Sequence, residues 1–293
     1  MSAAAAPRRS RSLWSDAFSR LTAEKLVLLC MGIILLYGFV ALAAKVGLIA
    51  STWNQEVGAP YSPPDFSSIK TCLGTDIFGR SVFYKVIHGT RIAMSVGLVA
   101  ALISIPIGVV LGAVAGYFGG WVDEVIVWFY TTISSIPSIL LLTAVTFILG
   151  KGLFSVYLAL GATSWVSLAR LVRGEFMKHK NREYVVAAEA LGAGHSARIF
   201  RHILPNTLHI AVVNFSLQFQ IAIKTEVILS YLGLGAVGQP SWGIMIDDAK
   251  LELSRGVWWQ LAAATFAMFF IVLAFNVFSD ALRDALDPKL KRG

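Results

Sequence analysis

The chain has 293 residues and a formal net charge of +8, with 56% hydrophobic and only 14% charged residues; its mean hydropathy is +0.69. Soluble domains carry about 25% charged residues, so this chain cannot cover itself with a water-facing surface and reads as an all-α membrane protein. The positive charge is therefore no argument for nucleic acid, and Cys30 in an apolar run with Cys72 in a loop is not a disulfide framework.

Residues 1–25 form a basic tail containing Arg8, Arg9, Arg11 and Arg20, expected to be mobile as far as Trp14. The apolar run 26–48 is the first transmembrane helix. It is too long for a signal-peptide core and long enough to span, so it reads as an uncleaved anchor. Residues 49–91, rich in proline and glycine, are expected to be an extracytoplasmic loop with a turn at Gly74, Asp76 and Gly79. Residues 92–280 then form a core of five further helices. The second span covers 92–118, where Gly108, Gly112 and Gly116 recur every four residues and let a neighbouring helix approach closely. The third covers 122–149 with Pro137 inside it, and the fourth covers 153–172. The fifth covers 207–232 and contains Glu226. The sixth covers 259–279, and residues 281–293 form a short basic tail. Trp242, Trp258 and Trp259 are expected to be interfacial anchors.

A polar interruption, residues 176–206, divides the core. It carries Lys178, Lys180, Arg182, Arg198 and Arg201, the mark of a cytoplasmic loop. With six spans, both basic termini fall on the same, cytoplasmic side. Within the loop, Tyr184 to Leu191 reads as a short helix ended by Gly192 and Gly194. Ser196 is expected to cap a second helix through Arg201, and Pro205 to open the next span. A short exposed helix with small residues is what a partner with a groove would grip.

The run Tyr184-Val185-x-Ala187-Ala188-x-Ala190-Leu191-Gly192-Ala193, followed by Arg201-His202-Ile203-Leu204-Pro205-Asn206, resembles the "EAA" loop of ABC-importer permeases, in the form of the dipeptide/oligopeptide branch. Val186 and His202 stand where the general pattern has Glu and Ile. Further blocks in the same order resemble that branch: Leu73-Gly74-Thr75-Asp76 with Gly79-Arg80; Trp121-Val122-Asp123 with Pro137; Glu226 with Leu229 to Gly235; Pro240 to Gly243; and Asn276 with Asp280 through Pro288. Ser81 replaces an Asp of the pattern, and Trp128 and Thr131 replace its intramembrane Arg and Asp.

The resemblance implies a type I, MetI-like importer permease fold in a bacterial inner membrane. It implies transport of peptides or related small solutes, a second related permease, two ATPase subunits and an extracytoplasmic binding protein. The coupling helix that meets the ATPase would comprise Tyr184, Val185, Ala187, Ala188, Glu189, Leu191 and Gly192, with Ala188 on the contact face. Glu226, a carboxylate at membrane depth, either lines the substrate pathway or is a structural group bonded across helices. The Leu73–Arg80 block is equally a capped structural loop or a partner contact. No phosphate-binding loop, metal-ligand pair or nucleophile elbow occurs, so no cofactor and no enzymatic activity are expected in this chain, ATP being bound by partners. The alternatives are a secondary transporter driven by an ion gradient, which calls for repeats and paired mid-membrane charges, and a membrane-embedded hydrolase, which lacks a catalytic constellation here.

Overall fold

A computed structural model describes residues 13–286; the tail positions Arg8, Arg9 and Arg11 and residues 287–293 lie outside them. The described residues contain α1 (Leu13–Ala23), α2 (Lys25–Lys45), α3 (Val82–Phe118), α4 (Gly120–Ser134), α5 (Ser138–Leu149), α6 (Leu153–Thr163), α7 (Val166–His179), α8 (Glu183–Ala190), α9 (His195–Ala197), a π turn (Arg198–Ile203), α10 (Leu204–Tyr231), α11 (Trp242–Leu253) and α12 (Trp259–Leu286). Five stretches are long and apolar enough to cross a membrane, and the bent pair α4–α5 makes a sixth. The "basic end" below is the one that carries α8. The opposite "loop end" carries residues 46–81 and 232–258.

The third span differs from expectation. It is not continuous: α4 and α5 meet at 90°. Pro137 disfavours a helical residue before it, and Thr132, Ser134 and Ser135 turn their hydroxyls back onto carbonyls four residues earlier. The loop expected through residue 91 also ends sooner, because α3 begins at Val82. Its 37 residues extend roughly 55 Å, well beyond a hydrocarbon core of about 30 Å. Lys85, His88 and Arg91, spaced three apart, hide this extension from a hydropathy reading. Ser81 accepts the amide of Tyr84 and so caps the helix, a role that its Asp counterpart could equally fill.

The packing centres on α3 and α7. A β-carbon on Gly108 would lie 2.9 Å from the carbonyl oxygen of Trp165; on Gly112, 2.5 Å from that of Ala169; on Gly116, 2.5 Å from that of Arg173. The glycine ridge of α3 thus meets the backbone of α7 directly, flanked by Leu168, Val172 and Phe176. At the basic end, Ala17 and Leu21 of α1 pack with Val27 of α2 and with Leu282, Ala285 and Leu286 of α12. The first and last described helices therefore lie together.

The loop end is closed by a buried ionic cluster. Asp76 accepts the amides of Phe78 (2.8 Å) and Arg80 (2.9 Å) on one oxygen, and Arg80 Nε (2.8 Å) and Lys85 Nζ (3.2 Å) on the other. Lys85 also donates to Gln260 of α12 at 2.7 Å and pairs with Asp248 of α11 at 3.5 Å. Trp259 donates to the carbonyl of Thr75, and Trp242 to that of Val86. Both indoles are buried, so of the three expected interfacial anchors only Trp258 is exposed. Trp242 and Trp259 instead bolt the 49–81 segment and α11 to the bundle. Within the Leu73–Arg80 block Thr75 and Asp76 are fully enclosed, as a capped structural loop requires, while Ile77 and Phe78 are exposed. Burial alone would raise the Asp76 carboxyl, but Lys85 and Arg80 hold it below the usual carboxylate range.

Glu252 of α11 is different. It is 2% exposed, and neither carboxylate oxygen has a partner among the described residues. Burial pushes its pKa up from 4.5 to about 7, Lys85 opposing and Asp248 and Asp76 reinforcing the rise. A carboxyl that holds its proton more tightly in the folded state contributes stability that is fully present below its unfolded pKa and is lost as pH rises through the folded one. We predict that the Tm of the wild type, measured against Glu252→Gln in detergent, falls as pH rises from about 4.5 to about 7. Parallel Tm curves for the two proteins would refute this role for Glu252.

Candidate functional site

The polar interruption folds into a compact corner at the basic end. α7 runs out to His179, and Arg182 in extended backbone turns the chain into α8. The eight residues of α8 have two faces. Val185 (2% exposed) and Ala188 (7%) point into the bundle. There Val185 joins a cluster with Ala113 of α3, Val172 and Phe176 of α7, and Ile199 and Ile203 of the π turn. Tyr184, Val186, Ala187, Glu189 and Ala190 face outward, and Leu191 stands 89% exposed just beyond. The expectation that Ala188 lies on the contact face is corrected here: Ala188 and Val185 are internal packing residues, one helical turn apart. The outward apolar set is Val186, Ala187 and Leu191.

Gly192 ends the helix at φ +85°. Its amide bonds to the carbonyl of Glu189, and the amide of Ala193 to that of Ala188, the paired closure of a Schellman motif. Nothing lies within 4 Å of a β-carbon built there. The requirement for glycine is conformational, not a matter of space within this chain. The elbow continues into α9, whose cap is Gly194 and not the expected Ser196. The following turn is a π turn, a local widening often found where function requires a particular backbone path.

Polar contacts fix this corner to the spans. Arg198 pairs with Glu189 at 2.5 Å and lies over the ring of Tyr117 at the end of α3. The Tyr117 hydroxyl bonds to His195 at 2.9 Å. Arg173 of α7 forks onto both oxygens of Asp123 of α4, at 2.5 and 2.6 Å. The pairs 123–173 and 189–198 escaped sequence reading because their separations of 50 and 9 residues follow no helical period. Trp128 and Thr131 lie on the exposed flank of α4, outside this corner.

Glu226 sits far away, near the loop end of α10. It is 0% exposed and accepts the Ser230 hydroxyl of its own helix at 2.5 Å on one oxygen, while the other oxygen has no hydrogen-bond partner among the described residues. The carboxyl is enclosed in this structure and bonded within α10. Among the described residues no group of three or more His, Cys, Asp or Glu side chains is disposed to hold a metal ion.

Among the described residues the protein is a helical membrane bundle with a small helix braced outside its spans. Residues 108–292 match the family of binding-protein-dependent transport system inner membrane components, and the chain belongs to that family. It is 36% identical over 286 residues to the oligopeptide transport system permease protein OppC of Bacillus subtilis, covering 97% of this chain and 92% of the relative. It is 37% identical to the dipeptide transport system permease protein DppC of the same organism, over 97% and 88%. The glutathione transport system permease protein GsiD of Pectobacterium atrosepticum is 40% identical over 75% of this chain and 73% of its own. The protein is accordingly a multi-pass bacterial inner-membrane permease subunit of an ATP-driven importer; the ion-gradient alternative finds no support among these relatives.

The two faces of α8 make opposite demands. Ala188→Arg would force a guanidinium into the buried side of α8, a buried charge without a partner. It should sharply lower the yield of folded, detergent-stable protein, whereas Ala187→Arg should leave yield and Tm near wild type. Equal yields on size-exclusion chromatography would contradict the inward assignment of Ala188.

Proposed function

We propose that the chain is one of two related membrane subunits of an importer for peptides or peptide-like solutes, and that the outward flank of α8 is the dock for an ATPase subunit. The observation that carries this reading is the pairing of exposure and fixation in one helix. Val186, Ala187 and Leu191 offer an apolar surface to a groove, while Val185, Ala188 and the Glu189–Arg198 pair hold the helix to the spans. An exposed leucine on a rigid, otherwise charged corner is a binding anchor looking for a pocket.

In this reading α8 and both termini are cytoplasmic, in keeping with Lys178, Lys180, Arg182 and Arg201 around the corner. A binding protein delivers cargo at the loop end. The names of the relatives, which refer to oligopeptides, dipeptides and glutathione, support a peptide-like cargo. ATP-driven closure of the ATPases displaces the docked α8, and the spans rotate with it as rigid bodies. Coupling requires only that the dock bind the ATPase differently in the two states. The chain needs no nucleotide site of its own for this.

Variants on the outward flank should separate docking from folding. Leu191→Asp and Ala187→Arg are expected to leave the permease inserted and monodisperse while reducing copurification of the ATPase subunits by about tenfold or more, the effect of losing roughly 1.4 kcal/mol of anchor burial. Wild-type copurification and wild-type cargo-stimulated ATP hydrolysis in both variants would sink the docking assignment.

A further inference from the structure

α10 belongs to one of the two least apolar of the five continuous spans. Most of its polar side chains are turned inward, among them Asn214, Gln218, Gln220 and Thr225; Gln218, for example, donates to the carbonyl of Ser164. One narrow flank is left open. Leu217, Ile221, Lys224, Ile228 and Tyr231 follow one another at spacings of four and three and share it, with Ile221, Lys224, Ile228 and Tyr231 exposed. Lys224 makes no ion pair with any described residue. Seven residues separate it from the end of the helix, so its backbone lies about 10 Å below that end. Glu226, two positions on, is buried on another face and cannot neutralise it.

A lysine held at this depth against lipid would be expensive, and such residues normally face a bundle interior or a water-filled cavity. Towards the loop end the neighbouring cation is already neutralised: the Lys250 ammonium lies 3.9 Å above the ring of Tyr231 and pairs with Asp247 at 2.6 Å. The flank therefore presents one unpaired cation, Lys224, on a span most of whose other polar side chains are turned inward. We propose that it lines the aqueous translocation route, where Lys224 sets a fixed positive charge that favours passage of cargo bearing a carboxylate or another anionic group. This rests on the importer reading and adds to it a basis for cargo selection within the membrane. In a narrow, low-dielectric route one such charge acts strongly on a passing anion.

The test uses reagents that react only with thiols exposed to water. In native cell membranes, on a chain with Cys30→Ala and Cys72→Ala, Ile221→Cys and Ile228→Cys are each treated with a sulfonate-bearing and an ammonium-bearing methanethiosulfonate. Both sites should react. The anionic-to-cationic rate ratio should fall about threefold or more on adding Lys224→Met, and should be retained with Lys224→Arg. Should Lys224→Met fail to accumulate, Lys224→Gln makes the same comparison. No reaction at either site, or a ratio indifferent to residue 224, would overturn the proposal. Neither reaction needs cargo or ATP, so failure here is distinct from failure of the ATPase dock.

Discussion

The backbone contact between α3 and α7 is the constraint on which the rest depends. Three glycines, Gly108, Gly112 and Gly116, remove every side chain from one stripe of α3, and the carbonyls of Trp165, Ala169 and Arg173 occupy the space. A seam of this kind leaves no room for sliding or rotation, because any displacement drives backbone into backbone. α3 is also the longest element and reaches from the basic end to the loop end. α7 leads directly to the turn into α8. The seam therefore joins the helix best placed to meet a partner to the helix that traverses the whole molecule.

The two ends of the bundle are built for different purposes. At the loop end, Asp76, Arg80, Lys85, Asp248 and Gln260 form a satisfied network that ties residues 49–81, α3, α11 and α12 together. Buried ionic groups add little net stability, but breaking one strands its partners, so this end tolerates little rearrangement. At the basic end the polar contacts are fewer and more exposed, and an apolar surface is left uncovered at Val186, Ala187 and Leu191. A rigid lid and an open, braced corner suit a subunit that receives cargo at one end and force at the other.

Much of this was legible in the sequence. Hydropathy located the apolar stretches, the glycine period marked the close-packed face of α3, and Gly192 marked the end of α8. What escaped has physical reasons. Lys85, His88 and Arg91 interrupt the hydropathy of α3 although Lys85 is buried against Asp76 and His88 against Ala50 and Trp53, so hydropathy alone starts the helix at residue 92. The course of the chain through Pro137 depends on hydroxyls bonding backward, which composition does not reveal. α8 reads Val-Val-Ala-Ala at its centre, with no contrast between faces, so only tertiary packing decides that Val185 and Ala188 turn in while Val186 and Ala187 turn out. Trp242 and Trp259 look like interfacial anchors by type, yet each finds a carbonyl partner inside. Glu226 reads as a carboxylate in a span, and only the structure shows it enclosed and bonded to Ser230 of its own helix.

The central claim is that α8 and α3 move as one body. Spin labels at Glu183 on α8, outside the apolar set, and Leu102 on the exposed side of α3, in the assembled importer, measure this by pulsed electron–electron double resonance. The account predicts one unchanged distance distribution with and without ATP, while a pair spanning the two permease subunits shifts over the same cycle. A change in the Glu183–Leu102 distance on adding ATP would show that α8 swings independently of the seam, and would contradict the account.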